Sequence, residues 1–108
     1  MDIELARLAL KRIETDPDRW NQTVWRCGTT CCFAGHVALA AGATWRVRRF
    51  GSNFFEDNVV LPGSDISLHV SDYAQRALHA TNEQAQRLFS RLNSLQDLHD
   101  LVDEFAEQ

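Results

Sequence analysis

The chain has 108 residues, a hydrophobic fraction of 44%, a charged fraction of 24% and a formal net charge of -4 at pH 7. This length supplies one hydrophobic core but not two, and the composition excludes wholesale disorder. The longest nearly apolar run, residues 31–44, is too short to span a bilayer, and the acidic start of the chain is not a secretory signal. We expect a single domain over residues 1–108, located in the cytoplasm with reduced cysteines and no membrane partner.

Charge is distributed unevenly along the chain. Residues 1–50 carry eight Arg or Lys against five Asp or Glu, whereas residues 51–108 carry three against ten. The acidic total argues against a general nucleic-acid-binding protein, although it is compatible with a local basic face. The two halves can pair within one molecule or between head-to-tail copies, so a homodimer also fits the composition.

The first predicted element is an amphipathic helix over residues 2–15. Apolar residues recur in it at three-to-four spacing, and Leu8 widens the apolar stripe. The helix is expected to end at Asp16-Pro17, because the residue before a proline is displaced from helical geometry.

A second helix is predicted over residues 30–41, with Thr29 as its N-cap and Gly42 as its stop. Gly35 lies inside it, where a glycine costs about 1 kcal/mol relative to alanine. This cost indicates that another backbone or a tryptophan ring approaches closely at that position.

An aromatic connector, residues 18–26, joins these two helices. It contains Trp20 and Trp25, which we expect to pack over Ala34 and Gly35. This packing would give the segment that contains the cysteines a structural role at the centre of the fold.

The pattern next changes to a period of two. Residues 44–50 and 54–61 roughly alternate around the turn-like Gly51-Ser52-Asn53, which predicts a β-hairpin with a bulge. Asp57-Asn58 is the alternative turn, and Pro62-Gly63-Ser64 ends the hairpin.

The last third of the chain is predicted to be helical. Ser71 is a candidate cap for a helix over residues 72–79, and Thr81 opens a capping box for a helix that extends to about Leu92. Ser94 caps a final helix with one apolar stripe. The predicted fold class is therefore α+β, mostly α-helical, with about five helices and one small β-hairpin between the second and third helices.

All three cysteines lie close to a histidine. A zinc site would use Cys27, Cys31, Cys32 and His36, and a reactive thiol at Cys31 or Cys32 would use His36 as its base. The spacing is too crowded for a structural zinc motif and no second cluster exists. We expect Cys31 and Cys32 to be small buried hydrophobic residues and His36 to be a hydrogen-bonded surface group, with no metal, cofactor or catalytic residue.

The hairpin mixes positive charge with aromatic rings, the residue types that carry most interface energy. Its candidate interaction residues are Trp45, Arg46, Arg48, Arg49, Phe50, Phe54 and Phe55. The same residues can hold phosphates and stack bases, so a nucleic acid is the alternative partner.

One segment has a distinctive pattern. Trp25, Cys27-Gly28-Thr29, Cys32 and Ala34-Gly35 resemble the W-x-C-G-T-x-x-C-x-A-G segment of small bacterial and actinobacteriophage proteins of unknown function. A looser likeness covers positions between 74 and 89. The resemblance implies a small intracellular accessory or host-directed protein, and it implies no activity.

These patterns favour a small non-enzymatic accessory or regulatory protein that contacts a host protein. A nucleic-acid-binding protein that uses the hairpin is the first alternative. A zinc- or thiol-dependent protein is the second.

Overall fold

The computed structural model describes the backbone of residues 1–50 and 53–108 and the side chains of residues 1–46 and 57–108. Within these limits, five α-helices and two small antiparallel sheets form an α+β fold, which confirms the predicted class.

Helix α1 spans Ile3–Thr15. The Asp2 side chain caps it by accepting a hydrogen bond of 3.0 Å from the Leu5 N–H. The helix ends directly before Asp16-Pro17, as predicted, and a short 3-10 turn over Pro17–Arg19 follows.

The segment before the second helix contains a hairpin that the sequence analysis did not predict. Strands β1 (Arg26–Cys27) and β2 (Thr30–Cys31) pair antiparallel, with Gly28 at a φ of 61° in the turn. Helix α2 therefore spans Phe33–Ala40 with Cys32 as its N-cap, and the predicted start at Thr30 with Thr29 as cap is wrong. Its predicted stop is confirmed, because Gly42 adopts a φ of 96°, which favours glycine.

A three-stranded antiparallel sheet in the order β3-β4-β5 follows, with the strands β3 Thr44–Phe50, β4 Asn53–Val60 and β5 Ser67–His69. The predicted hairpin and its bulge are confirmed, since the register shifts between Arg46 and Arg48. The alternative turn at Asp57-Asn58 is wrong because β4 continues through it. The predicted turn residues Gly51 and Ser52 lie outside the described residues. Strand β5 was not predicted.

The remaining helices are α3 Val70–Leu78, α4 Asn82–Leu88 and α5 Leu95–Ala106. The capping box at Thr81 is confirmed, and Ser94 caps α5 as predicted. Helix α3 begins before the predicted cap Ser71, because the His69 side chain accepts the Ser71 N–H at 3.1 Å. Helix α4 ends at Leu88 rather than near Leu92, because the Asn93 amide donates to its last carbonyl groups.

The main core lies among the helices, where Ile13, Phe33, Leu78, Leu88 and Leu98 are fully buried. A smaller cluster joins α2 to the sheet and is formed by Ala38, Ala43, Val59 and Val70. Trp25 packs against both clusters, so the connector links the helical core to the sheet.

Helices α1 and α5 are joined by one exposed ion pair and by one contact between a carboxylate and an imidazole. Arg7 Nη1 lies 3.2 Å from Asp103 Oδ1, and His99 Nε2 lies 2.6 Å from Glu14 Oε1. Each such pair contributes less than about 1 kcal/mol, so they orient the helices more than they stabilise them.

None of the helices among the described residues is long and apolar enough to cross a membrane.

Candidate functional site

The segment that contains the cysteines is held by one buried amide, Gln22, which is 6% exposed. Its Oε1 accepts hydrogen bonds from Trp20 Nε1 at 3.1 Å and from the Phe33 N–H at 3.0 Å. Its Nε2 donates to the carbonyl oxygens of Leu88 at 3.1 Å and Ser90 at 2.9 Å. Both oxygen lone pairs and both N–H groups are used. Gln22 thus ties the connector to the start of α2 and the end of α4, a role that the sequence analysis did not assign.

The thiols have distinct environments. Cys31 and Cys32 are 1% and 2% exposed, which confirms their predicted burial, whereas Cys27 is exposed. Burial raises the pKa of Cys31 to about 12 and also raises the pKa of Cys32. The thiolate is the form of cysteine that acts as a nucleophile or a metal ligand. The raised pKa values keep both buried thiols out of that form. All three cysteines are free thiols.

His36 is buried, at 3% exposure, so the expectation of a surface group is wrong. Its Nε2 lies 3.0 Å from the Arg19 carbonyl oxygen, which makes Nε2–H the donor and leaves Nδ1 without a hydrogen. Nδ1 has no partner among the described residues. Burial lowers the pKa of His36 and is the largest effect; the hydrogen bond to the Arg19 carbonyl opposes it, and smaller effects of Arg12, which lowers the pKa, and Asp16, which raises it, follow. The imidazole is therefore neutral.

The structure does not bring together the four residues that a zinc site would use. Cys32 lines one cavity with Gln22 and Trp25, whereas His36 lines a different cavity beside α1. Among the residues whose side chains are described, no three His, Cys, Asp or Glu residues lie together so as to hold a metal ion.

Trp45 supplies the aromatic ring that approaches Gly35. A Cβ placed on Gly35 would lie 3.1 Å from Trp45 Cζ2 and 2.5 Å from Cys31 Sγ. The prediction of a close tryptophan is confirmed. The ring is not that of Trp20 or Trp25, however, both of which pack against the main core.

Two of the seven hairpin candidates have described side chains. Trp45 packs against the smaller cluster, and the Arg26 guanidinium lies 5.0 Å from the centre of its ring. Arg46 is exposed and donates to the Asp65 carbonyl at 3.3 Å. Trp45 is thus engaged within the protein. The other five candidates, Arg48, Arg49, Phe50, Phe54 and Phe55, have side chains outside the described residues.

His36 and Ala40 of α2 face an opening beside α1. A cavity of about 510 Å³ is lined by Leu8, Lys11, Arg12, Thr15, Asp16, Arg19, His36 and Ala40. A second cavity of about 420 Å³ is lined by Ile3, Glu4, Arg7, Leu8 and Lys11. The two cavities are adjacent, since Leu8 and Lys11 line both, and together we call them the α1 groove.

The α1 groove is locally basic although the protein is acidic. Asp16 accepts from Arg19 Nε at 3.0 Å, and Arg7 is paired on its flank with Asp103. Lys11 and Arg12 form no ion pair with the residues that the structure describes. Both charges therefore line the larger cavity without a direct carboxylate partner among the described residues.

Comparisons of the chain with protein-family models, with curated proteins and with solved structures gave no significant match.

Proposed function

We propose that the protein is a non-enzymatic accessory or regulatory protein that acts through contact with another protein, and that the α1 groove is the contact surface. The buried thiols and the neutral imidazole support the non-enzymatic part, because each is held away from the charged or exposed state that catalysis needs. The proposal keeps the cytoplasmic location and the host-protein partner, in a bacterial or phage setting, that the sequence analysis predicts.

The observation that carries this proposal is Leu8, which is 49% exposed and is shared by both cavities of the groove. A single exposed leucine is ordinary on a protein surface. Here the leucine lies in a concave surface with cationic rims, where a partner side chain can cover it. Apolar contact surrounded by polar groups is the usual composition of a protein interface.

The groove is also long enough for a peptide. It follows α1 from Ile3 to Arg19, past the end of the helix. At about 1.5 Å of rise per residue, the helical part alone extends roughly 20 Å. An extended segment of about six residues covers that distance.

The test compares two leucine substitutions. Tagged protein, Leu8→Glu and Leu92→Glu are used to capture proteins from a bacterial host lysate, and the captured proteins are quantified by mass spectrometry. Leu92 is 83% exposed and lies between α4 and α5, so it is a matched control. We expect the same partner to be captured by the unsubstituted protein and Leu92→Glu, and to be depleted at least about tenfold with Leu8→Glu.

Equal capture by both variants would exclude the groove as the contact surface. Turnover of a small-molecule substrate by the purified protein would overturn the non-enzymatic assignment. Circular dichroism of each variant measures whether the fold is retained.

A further inference from the structure

We propose that the segment bound in the α1 groove is an acidic peptide, with a carboxylate between Lys11 and Arg12 and an apolar side chain on Leu8. This inference rests on the proposed function and adds the chemistry of the partner.

The charge of the deeper cavity supports an acidic occupant. Three cationic residues and one carboxylate line it, and that carboxylate, Asp16, is already bonded to Arg19. Lys11 and Arg12 both line this cavity and form no ion pair with the described residues. A carboxylate placed between them compensates both charges with hydrogen bonds to charged donors.

The apolar part of the cavity defines the second feature of the peptide. Leu8 lies at the rim common to both cavities, and Ala40 lines the deeper one. An apolar side chain next to the carboxylate would remove the exposed surface of Leu8 from water. The expected motif is therefore an acidic residue adjacent to an aliphatic residue.

The charge of the groove differs in sign from that of the whole molecule. The protein carries a net charge of -4, whereas Lys11, Arg12 and Arg19 make the deeper cavity basic, so an acidic peptide is attracted to this depression. Of the nearby acidic residues, Glu4 lines the smaller cavity and Asp103 is paired with Arg7 beside it. They disfavour a long polyanion such as a nucleic acid more than a short peptide.

The first measurement uses a fluorescein-labelled peptide of twelve residues that contains only glutamate and leucine. Binding is followed by fluorescence anisotropy at about 50 mM and about 300 mM salt. The higher concentration screens exposed charge pairs and should therefore weaken binding. We expect Lys11→Glu/Arg12→Glu to weaken binding at least about tenfold, because two attractive contacts become repulsive. The control Arg76→Glu/Arg91→Glu changes the net charge equally on exposed residues outside the groove and should stay within about twofold of the parent protein.

The second measurement uses the fact that Lys11 is the only lysine of the chain. A water-soluble carbodiimide activates a peptide carboxylate, which then forms an amide with a nearby amine as the carbodiimide leaves as a urea. Mass spectrometry should find the peptide joined to Lys11 rather than to the amino group of Met1. Lys11→Arg keeps the charge, so it should bind the peptide as the parent protein does and lose this cross-link.

Absence of peptide binding, equal loss in both double variants or cross-linking only at Met1 would overturn the inference. Tighter binding of a single-stranded oligonucleotide than of the peptide would replace it with a nucleic-acid partner. If Leu8→Glu abolishes capture from lysate while Lys11→Glu/Arg12→Glu does not, the contact surface stands and only the acidic partner is excluded.

Discussion

The packing around Gly35 predicts that a single methyl group there destabilises the fold. In Gly35→Ala the new Cβ would lie 2.5 Å from Cys31 Sγ and 2.6 Å from Cys31 Cβ, with Trp45 Cζ2 at 3.1 Å. Carbon atoms in contact prefer about 3.5–4.0 Å, so the overlap with Cys31 is roughly 1 Å. The Cys31 Cβ is fixed to the backbone of β2 and cannot rotate away, so the strand or the helix must move.

The expected magnitude follows from two opposing effects. Overpacking of a close-packed interior costs about 1–3 kcal/mol, and the severity of this overlap favours the upper value. Replacing glycine by alanine inside a helix returns up to about 1 kcal/mol. We therefore expect a net loss of about 2 kcal/mol in the free energy of unfolding, which lowers the melting temperature by roughly 8 °C in a domain of this size.

Urea and thermal denaturation followed by circular dichroism measure this loss, with Gly28→Ala as the matched control. A Cβ at Gly28 meets no atom within 4 Å, although its φ of 61° is strained for alanine. The control should therefore lose about 1 kcal/mol from backbone strain alone. In a double-mutant cycle, Cys31→Gly should relieve more of the effect of Gly35→Ala than Cys31→Ala does, because Cys31→Ala removes the Sγ contact and retains the Cβ contact. A Gly35→Ala protein as stable as the parent would refute the close approach.

Three further predictions concern the thiols, the buried amide and the buried imidazole. Ellman's reagent should label only Cys27 in the folded protein and should reach Cys31 and Cys32 only in denaturant; rapid labelling of all three would contradict their burial. Gln22→Glu should cost about 3 kcal/mol in urea denaturation at neutral pH, because a carboxylate would face the two carbonyl groups that the amide now donates to, and a loss below about 1 kcal/mol would argue against these bonds. The lowered pKa of His36 means that the folded state binds its proton less readily than the unfolded state, whose ordinary pKa is 6.5. The neutral imidazole therefore favours the folded state. Its contribution is complete above pH 6.5 and is lost as the pH falls toward the lower folded pKa, so the free energy of unfolding should decline over that pH range. The decline should be smaller in His36→Gln.

Elements with a strong local signal could be predicted from the sequence. Helix α1 has a regular apolar stripe and a proline at its end, and the caps of α4 and α5 are side-chain hydrogen bonds within four residues. The strands of two or three residues could not be predicted, because so short a segment has no measurable period. The predicted start of α2 is too early because residues 30 and 31 form β2. That strand depends on its pairing with β1 rather than on its own propensity.

The candidate site was harder to predict because periodicity identifies an apolar face without indicating whether another element covers it. Leu8 and Leu10 both belong to the stripe of α1, yet Leu10 is 2% exposed and Leu8 is 49% exposed. Similarly, the sequence suggested Trp45 as a contact residue by its type, and the structure packs it beneath Arg26. Residue type alone does not distinguish a ring that anchors the core from a ring that is available to a partner.

The basic character of the groove also arises from topology rather than from composition. Arg7 and Glu14 are seven residues apart, two turns of helix, so they share the face of α1 that meets α5 and pair there with Asp103 and His99. Lys11 and Arg12 line the groove as well, and neither forms an ion pair with the residues that the structure describes. The helix thus divides its charges into a set that holds α5 and a set that remains for a partner. The proposed function depends on that second set.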